Sequence, residues 1–359
     1  MMDPLFIRRM LHARAQKPPA RFDPPPRPAG PITLKDDAYH YNEYANSPGA
    51  FWYTEWWYFN FHDPVTGTDG ICTLAVFNPG DIDYVAAASL TVGVFLPGET
   101  MAEADIEYFP ISAWSAGYEK CDVTLGKTHF EALDANTYRV IAASSDGATL
   151  LDLTYTQADA PQFLAENVHG KDEPWEVSSW LVYMPSARVS GTVLHKGKTI
   201  RLQDAVGYHD HDWGMWHEYA KTWSWAYMSS PDKRVSFDLG FHAAFQLSDA
   251  YFRFMGARLI IPQENFKITQ DNWVTWEVFW KYPTSMTFAA VDTSDTFRID
   301  LAWTVTQTAP LWKYPVIVFE QTAHYTGRLQ QKVNGNWQTV AKFDEPGFCE
   351  YTSLWYEPT

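Results

Sequence analysis

The chain is short of positive charge. Its 359 residues carry 27 Lys and Arg against 43 Asp and Glu, a formal net charge of −16. Binding to a phosphate backbone needs clustered cations, so no nucleic-acid partner is expected. Cysteine is scarce as well. Cys72, Cys121 and Cys349 are odd in number, widely spaced and without a Cys-x-x-Cys pair. That excludes a disulfide scaffold and a cysteine zinc site, and the three read as small buried hydrophobes in a reducing compartment. No run of about 18 apolar residues occurs, so no transmembrane segment is expected. The first residues hold arginines but lack the apolar core of a secretory signal. There is no Asn-x-Ser/Thr sequon without an intervening proline, and the expected location is cytoplasmic. Also missing are a GxGxxG loop after a strand, a P-loop, a GxSxG elbow and an HExxH helix. A nucleotide-dependent enzyme or serine hydrolase has no support, and no cofactor is expected.

Apolar and aromatic residues are abundant. Hydrophobic residues make up 46% of the chain, with 17 Trp, 20 Tyr and 22 Phe, so a large core can form and disorder is excluded for most of the length. Residues 1–30 read as a short helix followed by a proline-rich extended arm. Beyond residue 50 the pattern changes to short runs rich in aromatic and β-branched residues, for example 55–61, 71–77, 86–95, 137–141, 148–155, 177–184 and 199–206. It continues at 222–228, 235–241, 273–280, 297–303, 316–325 and 337–343. Asp63-Pro64, Ser230-Pro231-Asp232 and Asn334-Gly335 are hairpin-turn signals between such runs. An all-β chain of antiparallel barrels or sandwiches is the expectation. A weak internal echo divides it. Glu55-Trp56-Trp57-Tyr58-Phe59 is answered by Trp223-Ser224-Trp225-Ala226-Tyr227, each followed by a turn and another strand. The expected organisation is an N-terminal arm (1–49) and two β-domains in tandem (50–207 and 208–359).

Three of the eleven histidines fall in Gly207-Tyr208-His209-Asp210-His211-Asp212-Trp213-Gly214-Met215-Trp216-His217. On an extended strand His209, His211 and Trp213 share one face, and Asp210 and Asp212 the other. Three readings compete for this segment. One is a polar strand end whose His and Asp groups bond to backbone. Another is a metal site using His-x-His with His217 as a third ligand. The third is an acid–base site within an aromatic pocket. Asp238 alternates with apolar residues in 235–241, so it faces either water or a cavity. In a cavity with Trp223 or Trp225 it is suited to protonating an alkene. Glu55 shares a strand face with Trp57, Phe59 and Phe61. It is either a strand-end charge paired with an arginine or a functional group. Indole faces stabilise a neighbouring cation by roughly 0.5–2 kcal/mol each, which suits a carbocation-like transition state.

The Glu55-Trp56-Trp57-Tyr58-Phe59 strand, Asp210-His211-Asp212-Trp213-Gly214 and the closing Gly347-Phe348-Cys349-Glu350-Tyr351-Thr352 resemble, in order, motifs of the carotenoid 1,2-hydratase/AttH-like family. The likeness spans about residues 50–356. It implies two lipocalin-like β-barrels in tandem. It also implies cofactor-independent chemistry on lipophilic unsaturated molecules: hydration of prenyl double bonds, chromanol ring closure, or Diels–Alder cyclisation of polyenes in fungal relatives. In the hydratases a His-x-Trp pair and a downstream aspartate, preceded two residues earlier by tyrosine, serve alkene protonation. His211 and Trp213 match the pair and Asp238 matches the aspartate; Ser236 stands where the tyrosine is expected, with Tyr227 as a substitute. Asp238, His211 and Trp213 are thus the candidate catalytic residues. Glu55, Trp57, His209, Trp223, Trp225 and Tyr227 are the candidate substrate-binding residues. The expected partner is a hydrophobic small molecule, with peripheral membrane contact compatible with its uptake. A pericyclase and a non-catalytic carrier of a lipophilic ligand are the alternative functions.

Overall fold

The computed structural model describes residues 21–354, apart from 48, 81–85, 172, 174, 217–221, 243–248, 277–279, 314 and 315. The expected N-terminal helix and first part of the proline-rich arm, together with His217, lie outside the described residues. Almost everything else is strand. No described helix is long and apolar enough to cross a membrane.

The first sheet begins with β1 (Tyr53–Asp63), β2 (Thr68–Phe77), β3 (Ala87–Phe95) and β4 (Glu103–Pro110). The short β5 (Trp114–Ala116) and β6 (Asp122–Leu125) lead to β7 (Thr128–Asp134), β8 (Thr137–Ala143) and β9 (Thr149–Gln157). It ends with β10 (Gln162–His169), β11 (Val177–His195) and β12 (Lys198–Met215). The strand order is β4-β3-β2-β1-β12-β11-β9-β8-β7-β6-β5, with β10 paired to β11 beside that path. β9 shows why such strands form: Leu151, Leu153 and Tyr155 are fully buried and alternate with partly exposed residues.

The second sheet comprises β13 (Trp223–Ser229), β14 (Val235–His242), β15 (Ala250–Phe254), β16 (Ala257–Ile261) and β17 (Phe266–Trp276). β18 (Trp280–Val291), β19 (Phe297–Lys313), β20 (Val316–Val333) and β21 (Asn336–Leu354) complete it. Its order, β16-β15-β14-β13-β21-β20-β19-β18-β17, repeats the plan of the first. In both sheets the opening strand pairs with the closing one. The two tryptophan-rich segments of the sequence echo are those opening strands, β1 and β13. The turn signals also fall where strands reverse. Asp63 caps the β1–β2 turn through Thr66 N–H at 3.2 Å, and Asn334 and Gly335 take positive φ (52° and 80°) between β20 and β21.

The chain divides into two compact units. The first holds residues 1–61, 70–94 and 105–218, the second residues 62–69, 95–104 and 219–359. A boundary at 207/208 would cut β12 in mid-strand. The division instead follows the end of β12, because that strand is paired to β11 from one end to the other, from Val177↔Met215 to His195↔Lys198. Cys72, Cys121 and Cys349 are all buried free thiols.

Candidate active site

Three elements of the first unit bring charged groups together away from water. β1 turns Glu55, Trp57 and Phe59 to one face, and β12 does the same with His209, His211 and Trp213. The third element is the N-terminal segment, where a 3-10 turn (Leu34–Asp37) is fastened by Thr33 N–H and Oγ1 donating to the Asp36 carboxylate at 2.7 and 2.9 Å. It delivers Asp37. Glu55, His209, His211 and Asp37 are each 0% exposed.

His211 lies between two carboxylates. Its Nε2 is 2.8 Å from Glu55 Oε1, and its Nδ1 is 3.2 Å from Asp37 Oδ1. The second contact is within ion-pair range but bent away from hydrogen-bond geometry. Glu55 also accepts from the His40 backbone N–H at 3.0 Å and from the Tyr53 hydroxyl. Asp37 Oδ2 accepts from Tyr138 Oη at 2.5 Å and lies 3.1 Å from His209 Nε2; the Asp37 carbonyl accepts from Trp57 Nε1 at 3.1 Å. His209 Nδ1 bonds the Tyr58 carbonyl at 2.9 Å. Aromatic rings hold the imidazoles flat. Trp57 stacks on His211 at 4.3 Å and Phe59 on His209 at 3.9 Å; Trp213 stacks on His40 at 4.0 Å and contacts His211 at 4.7 Å.

The electrostatics follow from this packing. Burial alone would raise the Asp37 carboxyl, but the charges and hydrogen bonds of His209 and His211 outweigh it and hold Asp37 well below the usual carboxylate range. Burial alone would lower His211, yet Asp37 and Glu55 raise it above its ordinary value. Burial, then the adjacent carboxylates, push Tyr53 and Tyr138 well above the phenol range, so both remain hydrogen-bond donors. Gly214, next to last in the histidine strand, has φ +150°, and a Cβ there would meet the Val177 carbonyl at 2.1 Å. Only glycine lets β12 approach β11 so closely. On the opposite face of β12, Asp210 accepts from Trp180 Nε1 and Tyr208 Oη, both at 2.9 Å.

The second unit presents a different arrangement. Tyr227 lies directly opposite Asp238 in the β13–β14 ladder, and Trp225 opposite Gly240. Residues in register share a face, so Trp223, Trp225, Tyr227 and Asp238 project from the same side of the sheet. Their neighbours Ala226, Met228, Phe237 and Leu239 turn to the other side, into an apolar cluster with Phe288 and Trp303. Asp238 is 3% exposed, which removes the reading that puts it in water. Trp225 Nε1 donates to Asp238 Oδ1 at 3.1 Å, and the Trp225 and Tyr227 rings run parallel with centroids 6.0 Å apart. The Trp223 indole N–H donates to Glu350, the glutamate of the closing motif. Ser236 and Tyr251 are buried on the Asp238 face, Tyr251 directly across from Asp238. Tyr227 is therefore the hydroxyl on β13 nearest in register to Asp238.

The candidate residues thus fall into two groups. Glu55, Trp57, His209, His211 and Trp213 meet in the first unit; Trp223, Trp225, Tyr227 and Asp238 meet in the second. Glu55 pairs with a histidine and a tyrosine rather than an arginine. Sequence reasoning missed Asp37, His40, Tyr53 and Tyr138. The one local signal for Asp37 is the Thr33–Asp36 cap beside it. Among the described residues no group of three or more His, Cys, Asp or Glu is arranged to hold a metal ion.

No protein-family model matches the sequence, and no curated protein matches it. Solved structures do. A provisionally assigned AttH from Nitrosomonas europaea superposes with a TM-score of 0.63 at 15% identity, covering 91% of this chain and 98% of that one. The fold is shared with AttH. Kievitone hydratase from Nectria haematococca matches as well, with a TM-score of 0.63 at 12% identity over 95% of this chain and 99% of its own. CghA in complex with Sch210972 gives 0.55 at 10% identity over 94% and 97%. The all-β tandem architecture is therefore that of these proteins.

Proposed function

We propose that the chain is a cofactor-independent enzyme that adds water to, or closes a ring on, a lipophilic unsaturated small molecule of terpenoid, prenylated or polyene type. Asp238 in its acid form gives a proton to the alkene. The observation that carries this reading is the buried Asp238 on an aromatic face, turned away from the apolar core and held by the Trp225 indole N–H. Trp223 and Trp225 stabilise the resulting cation, and the Tyr227 hydroxyl stands in for the tyrosine that Ser236 lacks. Water or an internal hydroxyl captures the cation, and the proton it sheds returns to the ionised Asp238 carboxylate. His211 and Trp213 are the further catalytic candidates, in a ring stack of the first unit shaped by Glu55, Trp57 and His209. Kievitone hydratase, which shares the fold, supports the hydratase half of this reading.

General acid catalysis is worth roughly 10²–10⁴-fold, about 3–5 kcal/mol of barrier. Asp238→Asn is the test, with kievitone and a panel of prenylated and polyene compounds as probes. Turnover is expected to fall at least about 100-fold while ligand affinity changes little; an unchanged kcat removes Asp238 as the acid. The CghA–Sch210972 complex favours a second reading, in which the fold holds a folded polyene for a pericyclic step. That reaction tolerates Asp238→Asn but not reshaping of the pocket. Recovery of every probe unchanged would indicate a carrier.

A further inference from the structure

Asp37 has no part in the reaction outlined above, yet it is fully buried and touches His209, His211, Tyr138 and, through its carbonyl, Trp57. It arrives from a segment that precedes the first strand. That segment is fastened independently of the Asp37 carboxylate. Tyr39 N–H bonds the Gly117 carbonyl at 2.9 Å, His40 N–H bonds Glu55 at 3.0 Å, and Ser47 Oγ bonds Met215 Sδ at 2.9 Å. The backbone therefore holds Asp37 in place while its side chain does something else.

A ring anchored at one nitrogen can still pivot about that bond. Anchors on opposite sides of the imidazole remove the pivot. We propose that Asp37 is a positioning residue of the first unit's ring stack: its charge draws the Nδ1 side of His211 at 3.2 Å while Glu55 hydrogen-bonds Nε2, and so it fixes the Trp57–His211–Trp213 stack. The proposal rests on the role given to Trp213 above. The groups facing His211 are Asp37 and Glu55, with His40 5.5 Å away ring to ring and Tyr53 and Tyr138 behind the two carboxylates. The His211 contact at 3.2 Å and the stacking distances of 4.3 and 4.7 Å are the geometry that Asp37 secures.

The test is ring ¹⁵N–¹H spectroscopy of the full chain, with His211→Gln assigning the signals. At pH 7 the wild type should show N–H protons at both nitrogens of His211. In Asp37→Asn the Nδ1 proton signal should be lost, the ring should titrate at least about one pH unit lower, and the near-ultraviolet circular dichroism of the tryptophan stack should weaken. Asp37→Glu should restore part of each. On kievitone, Asp37→Asn should lower kcat about tenfold or more with KM within about twofold, the pattern of a displaced catalytic geometry rather than lost binding. A folded Asp37→Asn protein with wild-type ring signals and titration overturns the proposal. So does a wild-type His211 with a bare Nδ1 at pH 7, a result that decides the matter even if the variant does not fold. Ring changes as expected, in a wild type that turns over none of the probes, would contradict the proposed function and leave the clamp standing.

Discussion

Replacing Glu55 with alanine is the sharpest perturbation of the first unit. The carboxylate serves three donors: His211 Nε2 at 2.8 Å, His40 N–H at 3.0 Å and the Tyr53 hydroxyl. None of these residues can turn to water, since Tyr53 and His211 are 0% exposed and His40 is 8% exposed. Removing one partner of a buried ion pair costs about 3–5 kcal/mol, because the other charge stays buried and uncompensated. The two further orphaned donors push the expected loss toward the upper end of that range. For a unit of this size the midpoint should fall by roughly 6–20 °C. Differential scanning calorimetry, reading the transition of the first unit, measures it. A double-mutant cycle refines the test. Glu55→Gln with His211→Gln removes both charges, so its cost should be well below the sum of the single losses. A Glu55→Ala protein within about 1 kcal/mol of wild type would refute the view that this centre is a tightly coupled charged core.

Two further outcomes follow from the same geometry. The pH dependence of stability should be bounded on both sides, by opposite mechanisms. His211 is raised above its ordinary 6.5, so its contribution is complete below that pH and is lost as pH rises through the higher folded value. Asp37 is lowered from 3.8, so its contribution is complete above that pH and fades as pH falls through the depressed folded value. Urea titrations from pH 3 to 9 should show a plateau between these limits, and His211→Gln should abolish the alkaline fall. Gly214→Ala should lose about 1–3 kcal/mol to backbone strain and crowding against the Val177 carbonyl. A thermal melt with no change in midpoint would contradict that.

Much of the architecture was legible because strands declare themselves through aromatic and β-branched runs. The echo between Glu55–Phe59 and Trp223–Tyr227 marked the opening strands of two sheets with the same order. Lengths were less legible. In β11, Val177–Ala187 is buried on both faces and alternation appears only afterwards, so only 177–184 stood out as a strand. The same continuity hid the end of β12. Within the candidate site, the face shared by His209, His211 and Trp213 could be read from a period of two. The aromatic surroundings of Asp238 needed the β13–β14 register, which a sequence does not print. Asp37 was out of reach. Its partners Tyr138 and His209 lie 101 and 172 residues further along the chain, and the Thr33–Asp36 cap announces a turn there but not a buried carboxylate.

Proton delivery to carbon is the centre of the account, and heavy water reports it directly. Wild-type protein incubated with the probe compounds in D₂O, followed by mass spectrometry and NMR of the product, should show one non-exchangeable deuterium on the former alkene carbon. Asp238→Asn should yield no such product. A product that carries no carbon-bound deuterium, formed equally well by both proteins, would contradict the mechanism.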